Sequence, residues 1–194
     1  MSWPRECQRH AMSSRGVPTA KYRYNARGSP RVEVGLPQYT KQQIEHLSSL
    51  AQGKEWIAEL SIINGEVIID DIQVSDKIDQ SNLRWNIGDN VRNVGYIHNH
   101  PPGIIPEFSA QDFILAFNIH ELRQNKDKYP YTIMGVVYPI GETLKIKLYG
   151  INPTPERLRQ FEEYRDIEAT EEAMQPLLEE MKRRGELLDL KMSK

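Results

Sequence analysis

The sequence predicts an α/β fold: a curved mixed sheet flanked by helices, with extra helices at the C-terminal end. Three observations carry this expectation. Strand-like and helix-like segments alternate along the chain instead of falling into separate blocks. Two strand-like runs flank Asn64-Gly65, the strongest short-range hairpin signal. The chain has 194 residues, 39% of them hydrophobic, which suits one domain with a modest core and some appended segments.

Taken in order, residues 1–30 are rich in Arg, Ser, Gly and Pro and read as a flexible basic arm. Arg5, Arg9, Arg15, Lys21, Arg23 and Arg27 stand there against Glu6. A short strand is expected over 31–36. Ile44, Leu47, Leu50 and Ala51 then fall at helical spacing, with Thr40 as N-cap and Gly53 as the stop. Strands over 56–63 and 67–74 form the hairpin. Residues 75–90 are polar and irregular, a long loop suited to act as a lid or specificity element. A strand over 91–98 ends at a polar cluster. A Pro/Gly loop over 101–108 leads into a helix over 109–124, with Phe113, Ile114 and Phe117 inward. Strands over 131–137 and 143–149 follow, joined around Pro139 and Gly141.

Thr154-Pro155 opens the C-terminal segment as an N-cap followed by proline at the first helical position. Pro176 is expected to break or kink the helical run. Leu158, Phe161, Met174, Leu178, Met181 and Leu188 trace an apolar stripe, suited equally to the chain's own core and to a dimer or partner surface. The division is thus an arm at 1–30, a domain at 31–152 and a helical extension at 153–194.

Composition excludes several classes. The formal net charge of −2 disfavours a globally basic nucleic-acid binder. The single cysteine, Cys7, permits no internal disulfide and no Cys-rich zinc site. No run of about 18 apolar residues predicts a membrane span, and the first residues lack a secretory apolar stretch, so a cytoplasmic location is expected. Gly-rich phosphate loops are absent. His10, His46 and His120 have no partner pattern and are expected at the surface.

The chemistry lies between Gly95 and Asp112. His98 and His100 are two apart at a strand end, so both imidazoles point to one face. Asp112 falls in the first turn of the next helix, three residues after Ser109. A Pro/Gly loop can fold that helix start back over the strand end. Two imidazoles and a carboxylate then converge, leaving a fourth position for water, as a catalytic zinc site requires. Glu55 and Glu59, just before and within the first hairpin strand, are the candidate general bases. The Ser109 hydroxyl could donate to a developing oxyanion. Taken singly, Ser109-x-x-Asp112 is also a helix-capping pattern, but capping accounts for neither histidine.

These residues resemble the JAMM motif of MPN-domain (JAB-type) metalloproteins: an upstream Glu, His-x-His-Pro, a loop, and Ser-x-x-Asp. Here the pattern reads Glu55, His98-Asn99-His100-Pro101 and Ser109-Ala110-Gln111-Asp112. The element order is similar over about 31–150. Asn99 makes the motif more similar to the RadC-like branch than to deubiquitinating members. The His100–Ser109 spacing is one residue longer than usual, and Ala58 stands where a glycine often follows the Glu. The resemblance implies a cytidine-deaminase-like MPN fold. It implies His98, His100 and Asp112 as Zn2+ ligands, Ser109 as the oxyanion-stabilising hydroxyl, and Glu55 as general acid/base, with Glu59 in reserve. It further implies a hydrolase of amide or isopeptide bonds acting on a protein or peptide, ubiquitin-like modifiers included. Two alternatives stand beside this. One is an MPN-like scaffold binding a partner, or a second copy, through its terminal helices. The other is a RadC-like role with nucleic acid through the basic arm.

Overall fold

The computed structural model describes residues 20–24, 30–34, 38–50, 53–63, 66–74, 92–104 and 107–190. Most of the expected arm with Cys7 and His10, the Asn64-Gly65 turn itself and the 75–90 loop lie outside the described residues.

Within the described residues, strands β1 (Ala20–Tyr24) and β2 (Pro30–Val34) pair antiparallel as a separate small sheet. Part of the expected arm is therefore strand. Helix α1 (Gln38–Leu50) follows, and Thr40 lies inside it rather than capping it. Next come β3 (Trp56–Ile63), β4 (Glu66–Val74), β5 (Asn93–Asn99), α2 (Ala110–Leu122), β6 (Thr132–Ile140) and β7 (Thr143–Ile151). The chain continues through α3 (Pro155–Arg165), α4 (Glu171–Arg183) and β8 (Leu187–Leu190). Among the described residues the main sheet has six strands in the order β4-β3-β5-β6-β7-β8. It is mixed: β5 and β6 are parallel and the other neighbours antiparallel. The α/β expectation holds in this form. β3 and β4 pair Ile63 with Glu66, which leaves room for a two-residue connection.

Helices cover both faces. On one, α1 brings Ile44 and Leu47 onto Trp56, Ala58, Leu60, Val94 and Ile97. On the other, Phe113 and Phe117 of α2 share a core with Tyr96, Met134, Tyr149, Phe161, Met174, Leu178 and Met181. Of the C-terminal apolar stripe, Phe161, Met174, Leu178 and Met181 are buried in this core, while Leu158 and Leu188 are half-buried.

Two further expectations for the C-terminal segment are corrected. Residues 187–190 form a strand, pairing Gly150 with Leu188: Leu187 enters one core, Leu188 and Leu190 pack on the other, and their main chain completes the sheet. The helical run does not break at Pro176, which lies inside α4 on an exposed position. It breaks at residues 166–168, where Glu168 takes a positive φ of 51°. Proline removes one main-chain donor from α4, but packing of Met174, Leu177, Leu178 and Met181 holds the helix through it.

β5 is buried along its whole length and carries a bulge: Leu60 pairs with Gly95 and Ser61 with Asn93, so Val94 is the extra residue. Gly95 has φ +150°, and a Cβ there would lie 1.8 Å from the Ile133 carbonyl oxygen. The Asn93 side chain secures the bulge by accepting from Gly95 N and donating to its carbonyl. The bulge puts Tyr96 and His98 on the α2 face and Ile97 on the α1 face.

Candidate metal centre

The site forms where β5 ends and the chain crosses to α2, at the carboxyl ends of the parallel pair β5–β6. Open α/β sheets place ligand sites in such crevices. His98 is the penultimate residue of β5, and His100 follows the strand, its main-chain N donating to the Val137 carbonyl at 2.8 Å. Both rings are buried. Their Nε2 atoms lie 3.0 Å apart, and Asp112 Oδ1 is 3.3 Å from His98 Nε2. The three side chains each offer a ligand atom, all within 4.8 Å of one another. Donors about 2.1 Å from a tetrahedral zinc are about 3.4 Å apart, so this clustering fits a zinc ion.

Asp112 is aimed by its own helix start. Ser109 caps α2: its Oγ donates to Asp112 Oδ2 at 2.8 Å and its main-chain N to the same oxygen at 2.7 Å. The Asp112 N–H returns a bond to Ser109 Oγ at 3.3 Å. With Oδ2 held in this capping box, Oδ1 is left facing the histidines. One Ser-x-x-Asp pattern thus caps the helix and orients the candidate ligand, a combination the sequence left open for Ser109.

Tyr96 and Glu171, which carry no motif signal, and Asn99, which lies within the motif, support this geometry. Tyr96 stacks on His98, ring centroids 5.6 Å apart, and donates from its OH to the Asp112 carbonyl at 2.9 Å. Burial, reinforced by Asp112, pushes its phenol well above the usual range, so it stays a donor. Glu171, the first residue of α4, accepts from Phe108 N at 3.0 Å, from Tyr149 OH at 2.6 Å and from Lys147 Nζ at 2.8 Å. Phe108 and Ala169 carbonyls bond to Glu171 and Ala110 N–H groups, tying the start of α4 to the start of α2. The C-terminal helices are therefore part of the site's support. Asn99, between the histidines, accepts from Trp56 N at 2.6 Å and donates to the Lys54 carbonyl at 3.1 Å.

Burial, the largest influence, and His100 lower the pKa of His98; Asp112 opposes them. A neutral imidazole is the form that ligates a metal. Nδ1 of His98 is buried and closes no well-formed hydrogen bond, though the backbone of Gly135 on β6 favours its protonated state.

A scan against protein-family models finds no match. A search of curated proteins finds none either.

The two candidate bases are placed differently. Glu55 is half-buried and precedes β3, two residues before the Ile57–His98 pair. Glu55 is not one of the three converging groups. Glu59 pairs with Tyr96, deeper in the sheet; it is buried and accepts from Asn93 Nδ2 at 3.1 Å, next to the Gly95 bulge. His46 is exposed, as expected. His120 is not: it is buried on α2 with Nδ1 3.0 Å from Thr132 Oγ1. Its neighbour Arg123 is buried too, bonded to the carbonyls of Asn93, Tyr129 and Tyr131. Sequence spacing could not show this, because the partners come from other segments: Thr132 on β6, Asn93 on β5 and the carbonyls of Tyr129 and Tyr131. Among the described residues no helix is long and apolar enough to cross a membrane.

Proposed function

We propose that this protein is a zinc-dependent hydrolase of amide or isopeptide bonds, with the arrangement of a JAMM-type MPN domain and a ubiquitin-like or other small-protein modifier as substrate. The observation that carries the reading is the convergence of His98, His100 and Asp112, from a strand end and the next helix start, on one point. Two imidazoles and one carboxylate are a donor set suited to zinc with a vertex left for chemistry. Zinc held there would supply Lewis acidity and bring the pKa of water down to about 7.

The chain's own residues supply the rest. Glu55 takes a proton from the attacking water as its oxygen bonds to the substrate carbonyl carbon. The C–N bond then breaks and Glu55 returns the proton to the leaving amine. Glu59 is less suited, since its carboxylate serves Asn93 inside the sheet. Ser109 holds Asp112 in the resting site; a role on the oxyanion requires its hydroxyl to leave Oδ2. The rival scaffold reading would work through the terminal helices, whose Phe161, Met174, Leu178 and Met181 share a core with Phe113 and Phe117.

The test is Glu55→Gln, assayed on ubiquitin-like fusions and isopeptide-linked conjugates. The expected variant binds zinc as the wild type does and loses at least 100-fold in turnover, the scale of an essential acid–base group. Full turnover in Glu55→Gln with a dead Glu59→Gln overturns the assignment of the base.

A further inference from the structure

We infer that Asn99 is a positioning residue that sets the direction of Glu55, an inference that rests on Glu55 being the general base. Asn99 sits on β5 between His98 and His100, so its main chain moves with both candidate ligands. Its side chain reaches across to the segment before β3. Oδ1 accepts from Trp56 N–H at 2.6 Å, and Nδ2 donates to the Lys54 carbonyl at 3.1 Å. The chemistry of the partners fixes the amide's orientation: the N–H needs an oxygen and the carbonyl needs an N–H.

Those two groups belong to the peptide units on either side of Glu55. Holding both restrains φ and ψ of Glu55 together, and with them the direction of its Cα–Cβ bond. Glu55 itself lies outside β3, in a stretch without regular pairing. The Asn99 amide holds the main chain on both sides of Glu55 there. Asn99 thus adds a side-chain tie between the base-bearing segment and the ligand-bearing strand end, beyond the Ile57–His98 pairing. Displacements of about 1 Å cost about 100-fold in rate when reacting groups are involved, so the bracket controls turnover without touching substrate or metal.

The chemistry asks for an acceptor and a donor at one side-chain end with short reach. Asparagine supplies both. Aspartate keeps the acceptor for Trp56 N–H and sets a carboxylate against the Lys54 carbonyl. Alanine removes both.

The experiment compares wild type, Asn99→Ala, Asn99→Asp and Glu55→Gln as full chains loaded with Zn2+. It measures zinc affinity, amide hydrogen exchange at Glu55 and Trp56, and kcat and KM on a fluorogenic amide of a ubiquitin-like C-terminus. Asn99→Ala should keep zinc affinity within about threefold and raise Trp56 amide exchange at least about tenfold. It should lower kcat about 10–100-fold with KM within about twofold. Asn99→Asp should keep the Trp56 protection in large part. Unchanged Trp56 exchange in Asn99→Ala overturns the inference whatever the activity. Unchanged kcat in Asn99→Ala beside an inactive Glu55→Gln also overturns it. Full activity in Glu55→Gln overturns the reading of the base instead, and the exchange data then decide the bracket on their own.

Discussion

The Ser109 hydroxyl donates to Asp112 Oδ2 at 2.8 Å while the other oxygen of that carboxylate lies 3.3 Å from His98 Nε2. One carboxylate thus divides its two oxygens between the helix cap and the imidazoles. Ser109→Ala deletes the hydroxyl but keeps the main-chain bond to Oδ2. Loss of such an outer partner costs about 10–100-fold in metal affinity, and loss of the cap about 1 kcal/mol of stability. Calorimetric zinc titration should show affinity at least about tenfold weaker in Ser109→Ala. Unchanged zinc affinity with a kcat lowered 100-fold would instead assign the hydroxyl to the substrate's oxyanion.

Gly95 and Ile133 approach too closely for any side chain. A Cβ at Gly95 would sit 1.8 Å from a main-chain oxygen that a neighbouring strand holds in place, at a φ that L-residues rarely adopt. Gly95→Ala should destabilise the fold by about 3 kcal/mol or more. Urea unfolding monitored by tryptophan fluorescence reads this directly. A midpoint equal to that of the wild type would mean the bulge is not formed as described.

Much of this was legible because local signals agreed with the global arrangement. The hairpin, the crossover from β5 through α2 to β6, and the pairing of His-x-His with a capped Asp all follow from spacing within short windows. What escaped the sequence is long-range. Glu171 reaches Phe108 across 63 residues, and Asn99 reaches Trp56 across 43. Neither has a periodicity to announce it. β8 was hidden because Leu187-Leu188-Asp189-Leu190 follows closely on a helix and resembles its continuation. Pro176 misled because proline weighs heavily in local propensity, yet the core beneath α4 outweighs one missing hydrogen bond.

His120 should titrate far below an ordinary histidine. Burial, then the charges of Arg123 and Lys126, bring its pKa down to about 4. A depressed histidine stabilises the fold in its neutral form. That contribution is whole above the unfolded value near 6.5 and is lost as pH falls through about 4. An NMR titration of the His120 ring should give a midpoint near 4, and His120→Leu should flatten the decline in stability below pH 6.5. A midpoint near 6.5 would contradict the buried, neutral ring.

Zinc stoichiometry tests the central claim most directly. Purified protein, stripped with chelator and dialysed against Zn2+, should retain one zinc per chain by elemental analysis. His98→Ala, His100→Ala and Asp112→Ala should each lose it while remaining folded by circular dichroism. Wild-type protein that holds no zinc, or single variants that all keep it, would show that these three side chains do not form the metal site.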